Sequence, residues 1–147
     1  MMIDTYLTYI QESTNLKVMY HGSHIQNMKV LDPKTNISKH EKTKAKWIYA
    51  MNERSLCSAF TFPWTDDMGI QFGGINGVYT LKVPKHHMTL LDKPCSIYEV
   101  DSANFIKAKT GMKHEYVSSK KVKVLKETKY KTAKQCILST DIRIKVI

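Results

Sequence analysis

Trp47-Ile48-Tyr49-Ala50-Met51-Asn52-Glu53-Arg54-Ser55-Leu56-Cys57-Ser58-Ala59-Phe60 changes its hydrophobic period halfway along. Its first five residues form a compact apolar run, the composition of a buried strand. Asn52 belongs to the residue types that cap helix starts, and Glu53 suits the positive end of a helix. Leu56, Ala59 and Phe60 then fall on one helical face, so a helix is expected over 53–60, stopped by Pro63. Upstream, Lys17-Val18-Met19-Tyr20 reads as a strand stopped by Gly22, and 32–46 is a polar loop with Pro33 near its start. Ile3, Tyr6, Leu7 and Ile10 have helical spacing and place a short helix within residues 1–16. Downstream, Gly69 to Gly77 holds four of the six glycines and reads as a loop or hairpin, and Val78–Val83 is a strand ended by Pro84. Strands are also expected at 88–91, 95–100 and 115–118, and Ile142-Arg143-Ile144-Lys145-Val146 alternates strictly, as a strand with one buried face does. Strands outnumber helices, no repeat or linker interrupts them, and the chain reads as one α+β domain over 1–147.

Composition narrows the classes further. The 147 residues are 42% hydrophobic and 24% charged, which is globular rather than disordered. No run approaches the ~20 apolar residues of a transmembrane helix, so no membrane association is expected. The opening MMIDTYLTYIQEST lacks a basic start, an apolar stretch and a cleavage site, which points to a cytoplasmic protein. Cys57, Cys95 and Cys136 lie far apart with no C-x-x-C spacing, so neither a disulfide framework nor a structural zinc site is expected. His24, His40, His86, His87 and His114 show no ligand spacing and read as surface histidines.

The net charge is +10, and its distribution is uneven. Residues 107–147 carry twelve Lys/Arg against Glu115, Glu127 and Asp141, a net of +9, whereas residues 1–106 are nearly neutral at +1. Clustered positive charge attracts polyanions, which makes nucleic acid a candidate partner. The plainer alternative is a solvated lysine face, and no helix-turn-helix or aromatic RNA-binding motif adds to the first reading.

Three short pieces carry chemistry: Tyr20-His21-Gly22-Ser23 after the first strand, Ile48-Tyr49-Ala50 leading into the Ser58-Ala59-Phe60 helix, and His114-Glu115-Tyr116-Val117-Ser118 opening a late strand. Taken singly, each has an ordinary reading: a turn, core aromatics, a counter-charge among lysines. In this order and context they resemble the His-Tyr-Glu signature of the ADP-ribosyltransferase superfamily, in its diphtheria-toxin and poly(ADP-ribose)-polymerase branch. The resemblance runs from about Tyr20 to about Val124, a minimal catalytic domain of bacterial or phage type. It implies two small, mainly antiparallel sheets with a few short helices.

The resemblance also implies roles. His21 would hydrogen-bond a ribose hydroxyl of NAD, and Gly22 would offer its backbone to the nicotinamide carboxamide, with Ser23 and Ala50 beside them. Tyr49 would pack on the nicotinamide ring, with Phe60 as the other wall of an aromatic slot. The carboxamide's hydroxyl donor falls near Cys57, which fits the spacing, or Ser58, which fits the chemistry. Glu115 would be the central catalytic residue, stabilising the cation that develops on the ribose and helping to deprotonate the acceptor. No metal is implied. The stretch 61–77, with Trp64, Asp66 and Asp67, would close over the dinucleotide or present the acceptor.

Departures from the family restrict the activity. Arginine-directed toxins carry Arg at the first motif and Gln/Glu-x-Glu at the third, where this chain has His21 and Lys113. The tRNA 2′-phosphotransferase relatives need arginines beside their histidines, but only Arg54 and Arg143 occur here. Acceptor-site elements of polymerases are not found. The expected function is therefore NAD-dependent mono-ADP-ribosyl transfer to a macromolecule, nucleic acid or protein, in a toxin-like setting that an antitoxin or immunity protein would suit. An NAD glycohydrolase and a non-enzymatic basic nucleic-acid-binding module are the alternatives.

Overall fold

The structure is a computed structural model that describes residues 17–35, 46–108 and 114–147; the helix expected within residues 1–16 lies outside them. Val18–Ser23 (β1), Val30–Leu31 (β2), Lys34–Thr35 (β3) and Lys46–Met51 (β4) precede a helical stretch, Arg54–Cys57 (α1) continued by a 3-10 turn at Ser58–Phe60. After a 3-10 turn at Asp66–Met68 come Gln71–Ile75 (β5), Val78–Val83 (β6) and a longer 3-10 stretch at Lys85–Asp92. Cys95–Asp101 (β7), Ile106–Lys107 (β8), Glu115–Ser118 (β9) and Val122–Tyr130 (β10) follow, and Ala133–Leu138 (α2) leads into Arg143–Val146 (β11).

Among the described residues, eight strands form one sheet in the order β2-β10-β7-β1-β4-β9-β8, with β3 also paired to β4. Its ladders are antiparallel. A second sheet, β11-β6-β5, joins an antiparallel hairpin to a parallel last strand. The chain is thus a small α+β protein of mostly antiparallel sheets with few short helices.

Two cores form because strand alternation sends successive side chains to opposite faces of the large sheet. Met19, Ile48, Ala50, Tyr98 and Val100 bury on one face. Met51, Cys95 and Ile97 on the other meet Leu56 of α1, Ile137 of α2 and Leu81 of the small sheet. Each large apolar side chain wholly removed from water, such as Ile97 or Leu81, contributes ~1.5–3 kcal/mol. The β5–β6 hairpin turns on Asn76 and Gly77, at φ 54° and 80°, the left-handed pair that a two-residue hairpin turn demands.

Several expectations are corrected. The first strand is not stopped by Gly22 but runs on to Ser23, because a strand tolerates glycine where another backbone comes close. Residues 88–91 are not a strand; they lie in the 3-10 stretch that begins after Pro84, with His87 N–H donating to the Pro84 carbonyl at 2.9 Å. A short apolar run does not by itself separate the two. Asn52 does not cap α1: Glu53 occupies the cap position, without a side-chain cap bond. Strand β10 and helix α2 were not expected at all.

Candidate functional site

His21, Tyr49 and Glu115 lie on β1, β4 and β9, which are neighbours in the large sheet. In the β4–β9 ladder Glu115 stands opposite Met51, and Val117 opposite Tyr49. Tyr49, Met51, Glu115 and Val117 therefore share one face, and Glu115 and Tyr49 are diagonal neighbours, a relation that places Cβ atoms ~7–8 Å apart or slightly less. His21 pairs with Tyr98 of β7 and belongs by alternation to the opposite face; the two rings lie 6.4 Å apart.

What brings the histidine to the Tyr49 backbone is a break in the ladder. β1 and β4 share a single residue pair, Tyr20 with Met51, after which β1 continues along β7 alone. Where the backbone pairing ends, the His21 side chain bridges the two strands: its Nδ1 lies 2.6 Å from the Tyr49 carbonyl oxygen. A carbonyl only accepts, so Nδ1 carries the proton, and in the neutral ring Nε2 is the acceptor nitrogen. All three residues are half-buried.

Gly22 lies under the helical stretch. A Cβ there would come within 2.8 Å of the Cys57 carbonyl oxygen and 3.1 Å of the Phe60 carbonyl carbon and oxygen. The glycine is thus what lets α1 and its 3-10 extension rest directly on β1, and with it Phe60 is fixed relative to the His21 strand. Phe60 is half-buried in an aromatic group, stacked on Trp64 with centroids 5.6 Å apart and edge-on to Phe72 at the same distance. The Trp64 Nε1–H donates to the Ala59 carbonyl at 2.9 Å. The start of the 61–77 stretch is consequently packed on the core rather than poised as a free lid, since Thr61 and Phe62 are buried and 71–75 belongs to β5.

The remaining candidates divide between the end of β1 and the interior. Ser23 ends β1, half-buried, with its Oγ accepting from the Ile25 N–H at 3.0 Å. Ala50 is a core residue on the opposite face from Tyr49. Cys57 and Ser58 are both enclosed; the Ser58 hydroxyl donates to the Ser55 carbonyl at 2.7 Å, and burial pushes the Cys57 thiol's pKa up. Neither is presented to a ligand in this conformation.

Other contacts around the site carried no sequence signal. Asn52 N–H donates to the His114 carbonyl at 3.2 Å, and the His114 Nδ1 lies 3.0 Å from the Asn52 Oδ1 and 3.8 Å from the Glu53 carboxylate. The Glu115 carbonyl accepts from Ala108 N–H at 3.0 Å. Arg54 donates to the Tyr130 hydroxyl at 2.8 Å; burial opposes its charge, but the tyrosine outweighs that and raises its pKa. Lysines 120, 121, 123, 126, 129, 131 and 134 are all exposed, so the basic segment faces water from β10 and the loops around it. Among the described residues no helix is long and apolar enough to cross a membrane, and no three His, Cys, Asp or Glu side chains gather as a metal would require. No protein-family model, no curated protein and no solved structure matches this chain.

Proposed function

We propose that this chain is an NAD-dependent mono-ADP-ribosyltransferase. The observation that carries the reading is the placement of His21, Tyr49 and Glu115 on three adjacent strands, with the His21 ring bonded to the Tyr49 backbone where the ladder parts. With Nδ1 bonded to the Tyr49 carbonyl, the other ring nitrogen of His21 would meet a ribose hydroxyl, and the Tyr49 ring would pack on the nicotinamide. The Glu115 carboxylate, diagonal to Tyr49, would face the nicotinamide ribose. In the reaction the bond between ribose C1′ and the nicotinamide nitrogen breaks, and its electron pair leaves with nicotinamide, neutralising the pyridinium. Glu115 stabilises the oxocarbenium-like ribose that remains. An acceptor oxygen or nitrogen then bonds to C1′, and its proton passes to Glu115 or to solvent.

The exposed basic segment supports a polyanionic acceptor, with nucleic acid before protein. The test is nicotinamide release from NAD by wild type and Glu115→Ala, alone and then with RNA, DNA or cell lysate. Release that needs Glu115 and rises with one macromolecular pool supports transfer and names the acceptor class. Release that needs no acceptor makes the protein a glycohydrolase. No release in any mixture, with RNA still bound in a salt-dependent way, overturns the enzyme and leaves a basic binding module.

A further inference from the structure

We infer that Asn52 and His114 form a two-point clasp that positions Glu115 against the Tyr49 strand, an inference that rests on the reading above and assigns its positioning residues. Glu115 is the first residue of a four-residue strand, and strand ends fray unless something holds them. The structure supplies that hold from residue 114. Asn52 immediately follows β4, and its backbone N–H donates to the His114 carbonyl at 3.2 Å. Its side-chain oxygen meets the His114 Nδ1 at 3.0 Å. Backbone and side chain of one residue thus grip backbone and side chain of the other. The grip is one peptide unit before Glu115 and three residues after Tyr49.

The Glu53 carboxylate lies 3.8 Å from the same Nδ1, on the side of the ring that meets the Asn52 oxygen. Ladder pairing of Glu115 with Met51 fixes the strand's register. The clasp fixes where the strand begins, and hence the direction from which the Glu115 carboxylate leaves the sheet. This also explains why Asn52 does not cap α1: its side-chain oxygen is engaged across the strands. Neither residue touches the reacting atoms; both act through Glu115.

The experiment measures kcat and KM for NAD, by nicotinamide release, in Asn52→Ala, His114→Ala, the double variant and Asn52→Asp. Displacing a catalytic carboxylate by an ångström costs up to ~100-fold, so each alanine variant is expected to lose roughly 10–100-fold in kcat. KM for NAD stays within about twofold, because the dinucleotide contacts are elsewhere. The double variant loses no more than the worse single one, since both remove the same bond. Asn52→Asp, which keeps an acceptor oxygen, retains most of the activity. Asn52 is exposed, so its substitution leaves the fold intact even where His114→Ala weakens it. Near-wild-type kcat in both alanine variants, with Glu115→Ala inactive, overturns the clasp and leaves the transferase standing. A rise in KM with kcat unchanged also overturns it, because the pair would then be binding NAD. A wild type that releases no nicotinamide removes the transferase reading and the clasp with it.

Discussion

Substituting Gly22 by alanine tests whether the helical stretch is held against β1 by direct backbone contact. The added methyl would stand 2.8 Å from the Cys57 carbonyl oxygen, about 0.6 Å inside ordinary van der Waals contact at 3.4 Å, and 3.1 Å from two Phe60 atoms. All three obstacles are backbone, so no side-chain rotation relieves the clash, and the stretch from α1 to Phe60 must lift off the sheet. Overpacking of this kind costs ~1–3 kcal/mol. Gly22 is not among the residues with positive φ, so the cost carries no conformational term and comes from the clash alone. For a chain of this size 1 kcal/mol moves Tm by about 2–4 °C, so a cost near 2 kcal/mol lowers it by roughly 6 °C. Gly73→Ala is the matched control: Gly73 lies in β5, a Cβ there would meet nothing within 4 Å, and the effect stays within about ±0.5 kcal/mol. Thermal unfolding by circular dichroism reads both variants. Equal Tm values for the two would refute direct contact of the helical stretch with β1, and with it the account of how Phe60 is fixed beside the His21 strand.

Three further outcomes follow from the contacts. Cys57, Cys95 and Cys136 are all buried, and burial raises the Cys57 thiol's pKa, so iodoacetamide should label none of them in the native protein and all three in denaturant; rapid native labelling of any one would contradict the packing. Burial works to raise the Glu127 pKa, but the Ser96 hydroxyl at 2.6 Å and the Asn27 N–H at 2.9 Å outweigh it and hold the carboxyl below its ordinary value. Its folded-state pKa is depressed, so this stabilisation is present above the unfolded value and lost as the pH falls through the folded one. The Tm gap between wild type and Glu127→Gln should therefore shrink from pH 7 to pH 3, and a constant gap would show that the carboxylate is not the stabilising form. The Thr132 Oγ1 accepts from the Gln135 N–H at 3.0 Å at the start of α2, so Thr132→Ala should cost ~1 kcal/mol in urea unfolding, and no loss would show the cap to be idle.

Much of the strand framework was legible because its segments carry one uninterrupted signal. Val78–Val83 and 115–118 have the expected bounds, and 46–51 and 95–101 lie within one residue of theirs. What escaped notice escaped for identifiable reasons. In β10 the register shifts between Val124 and Lys126, so Val122 and Val124 begin an alternation that the irregularity then reverses, leaving Leu125 exposed among lysines. The segment consequently reads as a charge run. Helix α2 did announce itself, in the spacing Thr132-x-x-Gln135 before Cys136 and Ile137, a capping pattern that its lysine-rich surroundings obscured.

The candidate site was legible as residue types but not as geometry. The sequence places His21, Tyr49 and Glu115 on strands, yet alternation alone would put His21 on the face opposite Tyr49 and Glu115. Strand periodicity assumes an unbroken ladder, and the β1–β4 ladder is a single pair. Beyond that pair the faces no longer extend across the two strands, and a side chain from one can reach the backbone of the other, as the 2.6 Å contact from His21 to Tyr49 does. The same parting requires other ties to keep the strands in fixed relation. The helical stretch that follows β4 rests on Gly22 of β1 and supplies such a tie, while Asn52 and His114 join β4 to β9, whose ladder is unbroken. The broken β1–β4 ladder is therefore what sets His21 against the Tyr49 backbone, while the unbroken β4–β9 ladder and the Asn52–His114 clasp set Glu115.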